Sequence, residues 1–274
     1  MRNLKLILSY DGAEFSGWQV QPNLSTVQGA LASAIGRITG EKVLPQGSGR
    51  TDAGVHALAQ VVTFVTESSV PTENFLKALN DILPASVRVL QVAEMPPEFH
   101  ARHSALAKTY RYRIYRESIC PPFLAHYVWH YPYALDEAAM GRAASLVSGE
   151  HDFTSFAAVD PEKSNTAKSV SQEGPPPTSL RAGSSSPKNP ESRGNVRTIF
   201  SSSWERCGDE LAYTVRGSGF LHHMVRNLVG TFILVGRGTL EVDDITRILA
   251  ARNRSAAGAT APASGLFLVN VDYA

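Results

Sequence analysis

The sequence is poor in the features that most often announce a chemistry. Its 274 residues hold two cysteines, Cys120 and Cys207, and no CxxC pair. That usage excludes a disulfide framework and a cysteine-based zinc site, and it fits a reducing cytoplasm. Long apolar runs are missing as well. No stretch approaches the ~18 uninterrupted apolar residues of a membrane span. The opening MRNLKLILSYDG has too short an apolar run for a signal peptide and lacks a small-residue cleavage site. Charge of one sign is also absent: 26 Lys and Arg face 25 Asp and Glu, a formal net charge of +1. The overall charge therefore names no partner. What the chain does have is apolar material, 43% of its residues, enough to bury a large core in one domain or two packed halves.

Absences also define its most unusual stretch, GSGRTDAGVHA at residues 47–57. Gly49 and Gly54 copy half of the phosphate-loop spacing, but Val55 and His56 stand where Lys and then Ser or Thr are needed. No ammonium reaches a nucleotide, and no hydroxyl binds its magnesium. The dinucleotide fingerprint fails too, because Asp52 follows Gly47 and Gly49 where a third glycine belongs. A tight turn fits these residues, with the glycines supplying positive φ and Asp52 capping a backbone N–H. A turn alone does not account for Arg50 two residues before Asp52.

Periodicity outlines the rest. Leu4, Leu6, Leu8 and Tyr10 alternate as in a strand, ended by Asp11 and Gly12. Asp11 suits either the turn itself or a contact in a cleft. Ser25 and Gln28 have capping-box spacing before a helix carrying Val27, Leu31, Ile35 and Ile38, with Gly40 as its stop. Strands are expected at 59–65, 87–93 and 106–116, and a helix at 71–82. The second half echoes the first, with helices at 136–147, 221–235 and 243–251 and strands at 196–205, 211–217 and 266–272. This reads as α+β: two similar helix-covered mixed or antiparallel sheet halves, residues 1–118 and 119–274, meeting across a cleft. Residues 160–195 interrupt the second half. With six prolines, eight serines and almost no large apolar side chains, they cannot offset their ordering entropy and are expected to be disordered.

Charge is uneven locally. From Phe99 to Arg116 there are five Lys or Arg residues, two histidines and no acid. As a strand, Tyr110, Tyr112 and Ile114 point to one face while Arg111 and Arg113 point to the other. Aromatic rings stack bases and cations meet phosphates, so an RNA-binding surface and an ordinary strand with core tyrosines both fit.

The segments SYDGAEFSGWQVQPN, TVQGAL, GRTDAGVHA, FHARHSALAKTYRYRIY, FLHHMVRNLVG and GLFLVNVDY run in order from the first strand to the last. Together they resemble the tRNA pseudouridine synthase A family, over nearly the whole chain except 160–195. The resemblance implies a pseudouridine-synthase-like fold with a central basic cleft. It implies isomerisation of uridine at positions 38, 39 and 40 of the tRNA anticodon arm, by a cytoplasmic homodimer without cofactor. It assigns the catalytic carboxylate to Asp52, leaving open attack on sugar, attack on base, or removal of a sugar proton. It gives Tyr110 the stacking of the flipped uracil and makes Leu266 an apolar wall. Arg50 is expected to keep Asp52 ionised, with Arg102, Lys108, Arg111, Arg113 and Arg226 meeting RNA, and the loop glycines are expected to let the RNA backbone approach.

Isomerisation breaks the bond to N1, turns the base, joins C5 to the sugar and releases the C5 proton, with no redox change. One carboxylate suffices. A glycosidase needs a second carboxylic acid and a water, and no second acid accompanies Asp52 in its motif. A non-catalytic RNA binder and an RNA nucleosidase remain the other readings. No metal is expected: His222 and His223, placed on the helix 221–235, would diverge by roughly 100°. His222 and Arg226 would then share a face.

Overall fold

A computed structural model of the chain describes residues 1–158 and 194–274. Of the interruption expected at 160–195, residues 160–193 lie outside the described residues. Among the described residues, five α-helices and ten strands form the expected α+β architecture. No helix there is long and apolar enough to cross a membrane.

The first strand, β1 (Arg2–Tyr10), buries Leu4, Leu6, Leu8 and Tyr10 as the alternation requires. Helix α1 (Val27–Thr39) follows, but its N-cap is Thr26, whose side chain accepts from the Gly29 N–H at 3.3 Å. The Ser25–Gln28 capping box does not form, because Gln28 lies on the buried side of the helix with Val27, Leu31 and Ile35. Its amide is used there: Oε1 accepts from Val20 N and Nε2 donates to Pro45 O, both at 2.9 Å. Gly40 ends the helix in the left-handed region.

The remaining elements are β2 (Gln46–Gly47), β3 (His56–Thr66), α2 (Thr72–Ile82), β4 (Val87–Met95), β5 (Ala107–Tyr115), β6 (Trp129–His130), α3 (Glu137–Ser145), β7 (Gly149–Asp152), β8 (Val196–Cys207), β9 (Glu210–Gly217), α4 (Met224–Gly236), α5 (Asp244–Ala251) and β10 (Leu266–Asp272). The strands make one continuous sheet in the order β4-β1-β3-β10-β5-β9-β8-β7, with β2 beside β3 and β6 beside β5. Both sequence blocks therefore share a sheet, and the last strand returns to its middle. Helices α1 and α2 pack together, α2 against β4, while α3 packs on β8 and α4.

The centre of the sheet decides where a site can form. β10 is antiparallel to β5 but parallel to β3, and the parallel pairing is short, joining Phe267 to His56 and Leu268 to Ala57. Parallel pairing brings the starts of both strands to one end. The loop that leads into β3 carries Asp52, and β10 opens with Leu266. Across the other edge of β10, Leu266 faces Tyr112 and Leu268 faces Tyr110 on β5. The topology thus gathers the glycine-rich loop, Leu266 and the tyrosine strand from three distant parts of the chain.

Candidate active site

The loop is braced from below. The Ser48 hydroxyl donates to Gln60 Oε1 at 2.6 Å, and Gln60 Nε2 donates to Gly49 O at 2.8 Å. Ser48 and Gln60 are both fully buried, so this pair replaces water that could not reach them. Lys108 Nζ donates to Ser48 O at 2.6 Å. Further along, the Thr51 hydroxyl meets the Tyr10 hydroxyl at 2.8 Å, and Thr51 O accepts from Trp18 N at 3.0 Å. Burial pushes the Tyr10 phenol up to about 12, against the hydrogen bonds of Thr51 and Gln60. It remains a neutral partner.

The glycines serve the protein's own packing. A Cβ on Gly47 would come within 2.7 Å of the Trp18 indole, and Gly54 has φ +77°, where other residues are strained. His56 closes the loop. Its Nδ1 accepts from Gly12 N at 3.0 Å, its Nε2 lies 3.0 Å from His126 O, and its ring stacks on Phe267. Asp11 makes the turn and a contact beyond it: Oδ1 accepts from Ala13 N at 2.9 Å, and Oδ2 accepts from the Tyr127 hydroxyl at 2.7 Å.

This scaffold presents Asp52 at the surface with its side chain only 21% exposed. The described cation that grips it is Arg226, whose guanidinium donates to Oδ2 at 2.9 Å across 174 residues of sequence. Arg226 is fixed by a second bond, from Nε to Ala261 O at 2.8 Å. The expected partner, Arg50, is exposed on the same loop. The arginine on α4 therefore holds the carboxylate from the far half of the chain. Tertiary packing delivers Arg226 to Asp52 across that distance in sequence.

Two histidines join this pair. His223 Nε2 lies 3.3 Å from Asp52 Oδ2, and His222 Nε2 lies 3.6 Å from Oδ1. The expectation that they diverge fails because neither is in the helix. α4 begins at Met224, and His223 is its N-cap with φ 59° and ψ 4°, in the left-handed region. Asp52, His222 and His223 each offer one ligand atom, all within 4.8 Å of one another, so their donor set could receive a divalent cation. The Arg226 guanidinium on Oδ2 opposes a second positive charge there.

Tyr110 and Leu266 are both buried. Tyr110 stands edge-on to Phe220 at 5.0 Å. Burial pushes its phenol up, and the charges of Tyr10 and Asp52 add to the effect. The hydroxyl is a proton donor at neutral pH rather than a ready base. The turn before Leu266 abuts the loop, since a Cβ on Gly54 would sit 3.2 Å from the Ala263 Cβ.

The basic tract divides into different jobs. Arg102 and Arg111 are exposed. Arg113 is committed to a bidentate pair with Glu210, at 2.7 and 2.6 Å, and lies over the Phe267 ring. Lys108 is turned inward to brace the loop, and burial together with Arg102 and Arg197 lowers its ammonium to about 8. On the other face, Tyr112 and Ile114 are core, and the Tyr112 hydroxyl donates to Pro262 O. Alternation fixed the faces correctly but could not foresee which cations find carboxylate or carbonyl partners.

Comparison with known proteins identifies the family. Residues 6–104 and 182–274 match the model of a family described as tRNA pseudouridine synthase. The chain is 47% identical over 273 residues to a tRNA pseudouridine synthase A from Solibacter usitatus, covering 100% of both chains. It is 42% identical to one from Moorella thermoacetica, covering 98% of this chain and 99% of that one. A third, from Caldicellulosiruptor saccharolyticus, is 41% identical with 100% of both covered. With two family segments matched and full-length relatives well above 30% identity, the chain belongs to the tRNA pseudouridine synthase family.

Proposed function

We propose that this protein isomerises uridine to pseudouridine at positions 38, 39 and 40 of the tRNA anticodon stem-loop, with Asp52 as the catalytic carboxylate. The observation that carries this is Asp52 itself: a largely covered carboxylate ion-paired to Arg226 and close enough to Tyr110 to raise its phenol, with no second acid in its motif. The ion pair aims the carboxylate.

In this reading the target nucleotide leaves the stem, and its sugar meets Asp52. Tyr110 supplies the ring against the uracil, and its hydroxyl, kept protonated, hydrogen-bonds the base as it turns. Leu266 forms the apolar wall. The carboxylate acts on the nucleotide, the base reattaches through C5, and the C5 proton leaves. Arg50, Arg102 and Arg111, exposed around the loop and strand, meet phosphate. The chemistry requires neither nucleotide nor metal.

The same reading makes the protein a cytoplasmic homodimer. Ile119 and Phe123, apolar side chains left 80% and 86% exposed between β5 and β6, suit such an interface.

Incubation with an unmodified tRNA transcript, followed by mass spectrometry and pseudouridine mapping, tests the reading. Pseudouridine at those positions with unchanged RNA mass is expected. Base loss would make the protein a nucleosidase, and unaltered RNA would leave it a binder.

A further inference from the structure

Asp52 and Arg226 account for one oxygen of the carboxylate. Arg226 grips Oδ2 at 2.9 Å, and a carboxylate held at one oxygen still turns about its terminal torsion, whose wells are broad. Of the histidines, His222 Nε2 lies 3.6 Å from the other oxygen, Oδ1, and His223 Nε2 lies 3.3 Å from Oδ2 beside the Arg226 guanidinium. Their rings lie 3.9 Å apart and 35° from parallel.

Neighbouring side chains do not ordinarily point the same way, since they diverge by roughly 100° in a helix and lie on opposite faces of a strand. Here the left-handed backbone of His223 turns both toward Asp52. Among the described residues, only Asn23, His223 and Arg252 carry this conformation without being glycine, and it is uncommon outside glycine. The surroundings enforce it. Ala158 N donates to His222 O at 3.0 Å, and Asn227 N donates to His223 O at 2.9 Å as the first bond of α4.

We propose that His223 is a positioning residue for the reaction: held in its left-handed backbone, it and His222 fix the plane of the Asp52 carboxylate. The proposal rests on the reading of Asp52 as the catalytic group. The charged and titratable groups facing His223 are Asp52, His222, Arg226 and Arg254. Burial lowers its pKa, Asp52 opposes that, and His222, Arg226 and Arg254 lower it further, for a net decrease.

The test is single-turnover pseudouridine formation on unmodified tRNA transcript with saturating enzyme, across about pH 5 to 8. Asp52→Asn, His223→Ala and His223→Asn are measured beside the wild type, with tRNA Kd and melting temperature for each. Asn tolerates the left-handed region and keeps a donor that does not titrate. His223→Ala is expected to lose about 10- to 100-fold in rate, as small misplacements of reacting groups do, with tRNA Kd within about twofold. His223→Asn should recover most of that loss. A His223→Ala rate within about twofold of wild type, a loss confined to Kd, or a His223→Asn rate no better than that of His223→Ala would overturn the positioning role. If Asp52→Asn is inactive in those cases, only this proposal fails. If Asp52→Asn is active, the reading of Asp52 fails, and the positioning role with it.

Discussion

The loop at residues 47–57 is held by what lies directly beneath it: Ser48 on Gln60, Gln60 on Gly49, Thr51 on Tyr10, and His56 on Gly12. The junction at 218–226, which meets it at Asp52, is held from farther away. Ser218 N donates to Thr198 O, Ala158 N to His222 O, and Arg226 Nε to Ala261 O. The 257–261 segment that receives Arg226 is itself tied by Arg254 to Ala257 O, Gly258 O and Asn227 Oδ1. One half of the site is thus a local turn and the other a product of tertiary packing. The difference teaches that Asp52 can be placed by its motif, whereas its electrostatic state is decided by residues brought from the far end of the chain.

If that contrast is right, the largest effect on turnover among the supporting residues should come from the distant half. Arg226→Gln removes the charge on Oδ2 and should lower the single-turnover rate about 10- to 100-fold, the worth of a hydrogen bond to a charged group. Retention of full rate would remove Arg226 from the site. The local half should instead register in stability. Lys108→Met leaves Ser48 O without its 2.6 Å donor and should cost about 1–3 kcal/mol in denaturant unfolding, with the melting transition earlier.

Acid should loosen the loop next. Burial, against the opposing pull of Asp11, lowers the pKa of His56 from 6.5, and His100 and His223 are lowered as well. The unfolded chain then binds protons before the folded one. Their contribution is complete above about pH 6.5 and is lost as pH falls through the folded values. Melting temperature should therefore fall from pH 7 to pH 5, and a flat or rising profile over that interval would contradict the assignment.

The smallest effects separate two arginines on one face of β5. Arg113→Ala breaks the pair with Glu210 and should cost under about 1 kcal/mol of stability, with the salt dependence of tRNA binding kept. Arg111→Ala should leave melting unchanged and reduce the slope of log K against log salt by about 1. The reverse pattern would exchange their roles.

Most of the fold was legible. Alternation in Leu4, Leu6, Leu8 and Tyr10, and helical spacing in Val27, Leu31 and Ile35, reflect burial that any folded arrangement of those segments must satisfy. The continuous sheet was not, because the insertion of β10 between β3 and β5 is a long-range pairing that leaves no periodic trace. Within the site, Asp52 stood out by its glycines and by family resemblance. His222 and His223 were misread because apolar spacing extended the helix back to Leu221, and a left-handed residue at 223 has no signature in residue type. The tandem histidines three and four residues before Arg226 were the available signal. Lys108 and Arg113 carried charge in the right tract, but their carbonyl and carboxylate partners, Ser48 and Glu210, are distant in sequence.

The central claim is that one carboxylate in the 47–57 loop does the chemistry, and Asp52→Asn tests it most directly. Asn keeps the size and turn-forming capacity of the side chain but cannot act as nucleophile or base. The variant, purified and checked by mass for deamidation back to Asp, should melt near the wild-type temperature, bind tRNA and form no pseudouridine. Conversion of uridine at a rate near wild type would contradict the account.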